Sequence, residues 1–216
     1  MSQRPLSDQK LTVLDHPLIR TKMTVLRNKH TPPHQFRRTL HEVAGLMSMA
    51  AFAHLHTDQI NVDTPLETTS GEALQQPVPC LLSILRAGNG LVDALSALLP
   101  EAAIGHLGVQ RDPDTHTPIY YYEKLPPDID KRQVIIADPM LATGGSAIMA
   151  ADHLKAKGCL DLVFVCLISA PEGVSAFHAA HPDIPVITAA LDRQLDENCY
   201  ILPGLGDAGD RIYNTV

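Results

Sequence analysis

Tryptophan, paired cysteines and long apolar runs are all missing from this sequence. Its longest apolar stretches, such as residues 162–170, are far too short to span a bilayer. The cysteines are far apart and form no C-x-x-C pair, and no secretory leader pattern is recognised; they are Cys80, Cys159, Cys166 and Cys199. We therefore expect a soluble cytoplasmic protein with reduced thiols and no membrane partner.

The motifs of several nucleotide-binding and metal-binding classes are also absent. No G-x-x-x-x-G-K-[ST] or G-x-G-x-x-G occurs, which argues against a P-loop and against a dinucleotide-binding fold. The eleven histidines give no H-E-x-x-H or comparable spacing. His178 and His181 are able to share a helix face, but a solvated pair is the better interpretation. We expect no metal held directly by the protein.

Positive charge is scarce outside the N-terminal segment. The chain has 17 basic and 24 acidic residues, a net charge of −7. Eight of the basic and two of the acidic residues lie within residues 1–40, so the remaining chain has a balance of −13. This distribution argues against a protein that coats nucleic acid or an anionic membrane. An anion site in the main body must depend on a few cations and on backbone N–H groups.

The 216-residue chain is the size of one domain, assigned here to residues 1–216. Helical periodicity over 33–55 predicts one long helix within an N-terminal helical segment, 1–57, and residues 58–77 indicate a hairpin. Apolar strands then alternate with amphipathic helices; the strands are 79–85, 102–109, 134–137, 162–168 and 184–190, and the helices are 88–99, 146–157 and 172–180. This alternation predicts an α/β fold with a Rossmann-like parallel sheet and helices on both faces.

Residues 110–130 interrupt the alternation with four prolines and three consecutive tyrosines. The segment is too rich in proline for a helix and too long for an ordinary loop, so we expect a hairpin or a lid. Arg111 at its start either reaches a bound anion when the lid closes or pairs with Asp112 or Asp114. The tyrosines at 120–122 are better interpreted as strand-face packing than as a platform for stacking a base.

The strongest functional signal lies in residues 134–146, where an apolar strand ends at Asp138 and T-G-G-S opens a helix. The two glycines allow close backbone approach, Thr143 and Ser146 add hydroxyl donors, and Ser146 is the expected helix N-cap. Together with the helix N-terminus they form a phosphate cradle without a lysine. Asp138 is placed to accept hydrogen bonds from sugar hydroxyls beside that phosphate. The alternative is a glycine-containing turn that binds nothing.

Two further segments carry weaker signals. Residues 85–88 (L-R-A-G) close one strand and open a helix, which repeats the anion-site geometry one strand away. Arg86 is the charged member of this loop, unless it is simply a solvated surface residue. The C-terminal segment, 192–216, has no helical periodicity, but its apolar residues around Ile201 indicate that it docks on the main fold.

These motifs resemble those of the type I phosphoribosyltransferases, and most closely the branch that uses uracil. The resemblance rests on D-P-M-L-A-T-G-G-S at 138–146, S-I-L-R-A-G at 83–88 and G-D-A-G-D-R at 206–211, and it covers nearly the whole chain. The wider family usually has two adjacent acids in the phosphate loop, whereas Pro139 stands second here, as in the uracil branch. The resemblance implies the type I phosphoribosyltransferase fold, with a lid at 110–130 and a uracil-binding hood at 192–216.

The resemblance also implies roles for individual residues. Those implied to bind 5-phosphoribosyl 1-diphosphate (PRPP) are Arg86, Arg111, Asp138, Pro139, Met140, Leu141, Ala142, Thr143, Gly144, Gly145, Ser146 and Asp207. Those implied to bind uracil are Ile201, Gly206, Asp207 and Ala208. Arg111 and Asp138 are the implied catalytic residues, which stabilise charge and position the ribose.

The implied reaction converts uracil and PRPP to UMP and diphosphate, the pyrimidine salvage step. We expect Mg²⁺ to arrive bound to the diphosphate of PRPP. The resemblance further implies a homodimer or homotetramer and, in some members, a GTP effector whose candidate ligands are the cations of residues 1–40. Two alternatives stay open: a UMP-sensing, RNA-binding regulator of pyrimidine genes on the same fold, which the acidic main body disfavours, and a phosphoribosyltransferase for another base.

Overall fold

A mixed eight-stranded sheet lies at the centre of the computed structural model, which describes residues 10–53, 55–111 and 118–215, without the side chains of Arg111 and Pro118. The strands are β1 (Leu11–Val13), β2 (Thr57–Asp63), β3 (Thr68–Leu74), β4 (Cys80–Ile84), β5 (Ala103–Arg111), β6 (Pro118–Lys124), β7 (Val134–Ala137), β8 (Met140–Leu141), β9 (Leu162–Ser169), β10 (Val186–Leu191), β11 (Gln194–Leu195) and β12 (Ile201–Leu202). The helices are α1 (Pro17–Arg27), α2 (Pro33–Ala51), α3 (Asn89–Ser96), α4 (Gly145–Ala156), α5 (Pro171–Ala180) and α6 (Ala208–Tyr213).

The strand order of the central sheet is β1-β10-β9-β7-β4-β5-β6, and β8 also pairs with β9. Every pair is parallel except β5 with β6. The predicted parallel sheet is therefore confirmed. Because β4 and β7 are parallel neighbours, the loops that follow them emerge at the same edge of the sheet, where α/β proteins commonly bind ligands.

Helices cover both faces of this sheet. In β7, Ile135 and Ala137 pack in a core with α1, α2, α3 and α6, whereas Val134 and Ile136 pack in a second core with α4 and α5. All four side chains are completely buried. A strand buried on both faces needs apolar residues at every position, which is why 134–137 has no polar alternation.

Two smaller sheets flank the central one. The antiparallel pair β2 and β3 confirms the predicted hairpin, and every residue of β2 is exposed. The antiparallel pair β11 and β12 lies within the C-terminal segment 192–216, called the hood below. No helix among the described residues is long and apolar enough to cross a membrane.

Several short elements were not predicted from the sequence, namely β1, α6 and the two-residue strands β8, β11 and β12. The N-terminal segment 1–57 was expected to be helical, but it also contains β1, which pairs with β10 at the sheet edge. Three residues are too few to show a periodic pattern. In the hood, α6 forms where no helix was predicted, because the Asp207 carboxylate caps it through the Asp210 backbone N–H at 2.9 Å and Ile212 packs in the core.

Candidate active site

A cavity of about 350 Å³ opens at the carboxyl edge of the sheet, between the loop after β4, the loop after β7 and the hood. Its lining residues are Ile84, Leu85, Arg86, Ala87, Val109, Asp138, Met140, Ala142, Ser146, Cys199, Tyr200, Ile201, Gly206, Asp207, Ala208 and Gly209. The three segments that carried functional signals in the sequence therefore meet around one cavity. The loops are named below by their motifs: the L-R-A-G loop (85–88) and the T-G-G-S loop (138–146).

The L-R-A-G loop presents an arginine that is only weakly held. The peptide bond between Leu85 and Arg86 is cis. The exposed Arg86 guanidinium lies 3.8 Å from the Asp210 carboxylate and 5.5 Å from the centre of the Tyr213 ring. The Tyr213 hydroxyl donates a hydrogen bond to the Arg86 backbone carbonyl at 2.8 Å. Because a long and exposed ion pair contributes little, the guanidinium is free to bind an anionic ligand.

The T-G-G-S loop leads into α4 one residue earlier than the sequence predicted. Gly144, with a φ of +84°, is the N-cap and α4 begins at Gly145, so the prediction of Ser146 as N-cap is wrong. The Thr143 hydroxyl accepts a hydrogen bond from the Gly145 backbone N–H at 3.4 Å. The Gly144 cap has no side chain for the other N–H groups of the first turn, so the start of α4 offers donors to an anion.

The T-G-G-S loop divides into residues that face the cavity and residues that anchor the loop. Four of its members line the cavity, namely Asp138, Met140, Ala142 and Ser146. The other five, namely Pro139, Leu141, Thr143, Gly144 and Gly145, do not line it. The Pro139 carbonyl accepts hydrogen bonds from two backbone N–H groups of β9 at 3.0 Å, and Leu141 is buried in the core with α4 and α5.

The Asp138 carboxyl group lies where negative charge is costly. Burial is the main reason that its pKa rises from 3.8 to about 7, and the charge of Asp207 adds to this effect. The Met140 backbone N–H, which donates to the carboxylate at 3.3 Å, opposes the rise in pKa. A ligand that brings hydroxyl donors or a cation to Asp138 would therefore favour the charged carboxylate.

Seven residues of the hood line the cavity. The four that were predicted there, namely Ile201, Gly206, Asp207 and Ala208, are all among them. Ile201 lies opposite Leu195 of β11, and cross-strand hydrogen bonds flank this pair on both sides. The Leu195 N–H donates instead to the Glu172 carboxylate at 3.0 Å. Because hydrogen-bonded and non-bonded pairs alternate along antiparallel strands, the polar backbone groups of Ile201 point away from β11.

The predicted lid, 110–130, contains a hairpin in which β5 and β6 are antiparallel. Arg111 ends β5, but its side chain lies outside the described part of the molecule, as do residues 112–117 with Asp112 and Asp114. The role predicted for Arg111 therefore stays a prediction. The Tyr120 ring lies 4.6 Å from the His153 ring of α4, and its hydroxyl donates to the Met149 carbonyl, which confirms packing on the strand face for Tyr120. Tyr121 and Tyr122 are about half exposed.

Seven lining residues were not predicted as site residues. Four of them lie within the sequence motifs, namely Ile84, Leu85, Ala87 and Gly209, and three lie outside the motifs, namely Val109, Cys199 and Tyr200. Tyr200 had a usable signal, since it precedes Ile201 in the segment expected to dock. Val109 and Cys199 had none, because an apolar residue within a strand and a lone cysteine occur in any α/β protein.

Comparisons with known proteins give consistent matches over most of the chain. The family model described as "Uracil phosphoribosyltransferase" matches residues 13–215. A Dictyoglomus thermophilum protein of that name is 50% identical over 203 residues, which cover 94% of this chain and 98% of that protein. A Paracoccus denitrificans protein of the same name is 48% identical over 210 residues, which cover 97% of this chain and 100% of that protein.

Solved structures give the same result for the fold. A protein from Aquifex aeolicus has a TM-score of 0.86 and 31% identity, with 94% of this chain and 97% of that chain covered. An adenine phosphoribosyltransferase from Trypanosoma brucei, in complex with AMP, pyrophosphate and ribose-5-phosphate, has a TM-score of 0.58 and 15% identity, with 94% and 89% covered. At that identity only the fold is shared.

The names of these relatives give no support to the alternative of an RNA-binding regulator. The family match spans residues 13–215, and relatives that are 50% and 48% identical cover 94% and 97% of the chain. The chain therefore belongs to the uracil phosphoribosyltransferases, which convert uracil and PRPP to UMP and diphosphate in pyrimidine salvage.

Proposed function

We propose that the cavity between the L-R-A-G loop, the T-G-G-S loop and the hood binds PRPP and uracil side by side and is where the new glycosidic bond forms. The observation that carries this proposal is the convergence of the three loops on one cavity of about 350 Å³. That volume lies within the range of small-molecule sites.

PRPP occupies the side of the cavity formed by the two anion loops. Its 5-phosphate binds at the start of α4, where backbone donors and the hydroxyls of Thr143 and Ser146 meet the helix dipole. The Asp138 carboxylate accepts hydrogen bonds from the ribose hydroxyls. Arg86 binds the diphosphate and exchanges its weak contact with Asp210 for the stronger charge of the ligand.

Uracil occupies the side formed by the hood. Its edge presents an acceptor, a donor and an acceptor, which the backbone N–H and C=O groups at Ile201 and 206–208 are able to match. Cytosine would place an amino donor where uracil has an acceptor, which leaves a buried donor facing another donor. Selection against cytosine follows from that unpaired group, so the hood discriminates through its backbone.

The reaction is a displacement at the anomeric carbon through an oxocarbenium-like state. The bond from C1′ to the diphosphate oxygen breaks, the bond from C1′ to N1 of uracil forms, and the N1 proton is released. The protein orients the two reactants and stabilises the charge that grows on the diphosphate. Arg86 and the lid arginine, Arg111, supply that stabilisation, and Asp138 holds the ribose in position.

Mg²⁺ is the cofactor we propose, held through the diphosphate of PRPP. Among the described residues no group of three or more histidine, cysteine or acidic side chains is placed to hold a metal ion. Asp138 and Asp207 line the cavity and are able to contact a metal that arrives with the substrate. When bound, Mg²⁺ neutralises negative charge on the diphosphate.

A homodimer or homotetramer is the assembly we propose. The β2–β3 hairpin exposes apolar side chains at Ile60, Val62 and Leu66, and a two-stranded hairpin is marginally stable when it stands alone. A second copy that covers it would supply the missing packing. Size-exclusion chromatography with light scattering measures the mass, and a monomer at micromolar concentration would overturn this part of the proposal.

GTP as an effector is supported by the excess of positive charge in residues 1–40. Several of these cations already have partners, since Arg20 pairs with Asp15 and Lys22 with Glu42. Melting curves with GTP and with ATP test the proposal, which requires a rise in melting temperature with GTP alone. Four free cysteines support a reducing compartment, and we propose the cytoplasm.

The direct test is UMP formation from uracil, PRPP and Mg²⁺, followed by competition with cytosine, hypoxanthine and orotate. We expect UMP from uracil and little inhibition by the other bases. Replacement of Arg86 by alanine should raise the KM for PRPP and leave the preference among bases unchanged. An Arg86→Ala variant with altered base preference would contradict the placement of the two substrates.

A further inference from the structure

A closed set of hydrogen bonds joins the end of α1 to the hood. Arg27, the last residue of α1, forms a bidentate ion pair with Asp192, with N–O distances of 2.7 and 2.5 Å. The same guanidinium donates to the Gly204 carbonyl at 2.9 Å, and the Gly204 N–H donates to the Asp192 carboxylate at 2.9 Å. The Asp192 side chain is only 4% exposed. We call Arg27, Asp192 and Gly204 the hood clamp.

The hood clamp is attached to the central sheet through the backbone of Asp192. The Asp192 backbone N–H donates to the Ser169 carbonyl at the end of β9, at 2.8 Å. The guanidinium supplies a planar pair of donors that matches the carboxylate, and a lysine would not reproduce this geometry. The clamp therefore ties Gly204 to the central sheet and to α1 at once.

Gly204 is packed directly against the residue proposed to hold uracil. Its φ is +64°, and a Cβ atom there would lie 2.0 Å from the Ile201 carbonyl oxygen. The Gly204 backbone therefore lies in close contact with the Ile201 peptide, and a shift of Gly204 changes the packing around that peptide. Neither Arg27 nor Asp192 lines the cavity, so neither contacts a bound base directly, and their hydrogen bonds to Gly204 connect them to the turn beside Ile201.

A second arginine joins the same two parts of the molecule. Arg211, in α6, donates to the backbone carbonyls of Leu26, Asn28 and Leu205, and its guanidinium lies 4.3 Å from the centre of the Phe36 ring. Two adjacent residues of the hood turn, Gly204 and Leu205, are thus linked by arginine side chains to the C-terminal end of α1. The loops that face PRPP make no contact with Arg27 or Asp192 among the hydrogen bonds and ion pairs of the described residues.

We propose that Arg27 and Asp192 are positioning residues for base recognition, which act by holding the turn from Leu202 to Gly206 against Ile201. The proposal rests on the placement of uracil in the hood given under Proposed function. It predicts that loosening the clamp weakens uracil binding and leaves PRPP binding largely intact. A clamp with a purely structural role would lower the folded fraction, and thus the apparent kcat, with both KM values unchanged.

The experiment measures both KM values and the melting temperature for Arg27→Lys, Asp192→Asn and the double variant. We expect each single change to raise the KM for uracil about tenfold or more and the KM for PRPP less than threefold, because a lost charge-assisted contact has effects of that order. The KM for uracil of the double variant should be no higher than that of the more affected single variant, since both changes release the same turn. Arg20→Lys is the matched control, because Arg20 lies on the same helix and pairs with the exposed Asp15.

Two outcomes distinguish this proposal from the one on which it rests. Ala208 is 2% exposed and lines the cavity, so Ala208→Val should raise the KM for uracil whatever the clamp does. If Ala208→Val raises that KM and the clamp variants keep wild-type values, the clamp proposal is overturned. If Ala208→Val has no effect, the base does not bind in the hood and the placement of uracil fails.

Discussion

Replacement of Asp138 by asparagine is expected to stabilise the protein without ligand at alkaline pH and to weaken its binding of PRPP. The pKa of Asp138 rises from 3.8 to about 7, mainly through burial. A raised carboxyl pKa means that the folded state prefers the neutral form of the group. The contribution of Asp138 to the free energy of unfolding is therefore fully present below about pH 4 and is lost as the pH rises to about 7. A shift of about three pKa units corresponds to about 4 kcal/mol. This is an upper value, because the carboxyl group lines a cavity open to solvent.

Asparagine keeps the shape of the side chain and an oxygen that accepts the Met140 N–H, but it has no charge to desolvate. Urea unfolding of the wild type and of Asp138→Asn at about pH 5 and about pH 8 measures this contribution. We expect the advantage of the variant in free energy of unfolding to grow by about 2–3 kcal/mol from the lower pH to the higher. Asp93→Asn, on the exposed face of α3, should show no such growth. An advantage of equal size at both pH values would refute the argument that burial raises the pKa of Asp138.

Three further variants test other parts of the site. Tyr213→Phe removes the hydrogen bond to the Arg86 carbonyl and should raise the KM for PRPP about fivefold in steady-state assays, which corresponds to a loss of about 1 kcal/mol. An unchanged KM would show that this hydrogen bond does not position the L-R-A-G loop. Gly88→Ala places a Cβ 2.4 Å from the Ala137 carbonyl oxygen and should lower the free energy of unfolding in urea by about 1–3 kcal/mol. The control is Gly45→Ala on α2, where a Cβ would meet no atom within 4 Å, and it should leave that free energy unchanged or raise it. Arg86→Ala should raise the KM for PRPP at least tenfold, because it removes a charge-assisted contact, and an unchanged KM would contradict its role.

The main elements of the fold were predictable because a strand that is buried on both faces of a parallel sheet is apolar at every position, and such a run is visible in the sequence. Residues 134–137 form β7 with the predicted bounds. Two of the elements that were not predicted, β1 and α6, are three and six residues long. Both are stabilised by contacts with distant parts of the chain, β1 by β10 and α6 by α2, which local patterns do not contain.

The location of the site was predictable, and its internal organisation was not. The motifs at 85–88, 138–146 and 206–209 do surround one cavity. The sequence could not show that Pro139 and Leu141 anchor the loop while Met140 faces the cavity, because the direction of each residue depends on pairing with β9. The contact between Arg27 and Asp192 joins residues 165 positions apart, and no spacing rule predicts such a pair.

A crystal structure with UMP is the measurement that tests the central claim most directly. The account predicts the phosphate at the start of α4 beside Thr143 and Ser146, the ribose hydroxyls on Asp138, and the uracil edge on the backbone of Ile201 and residues 206–208. UMP bound with its base outside the hood, or with its phosphate away from α4, would contradict the proposed site.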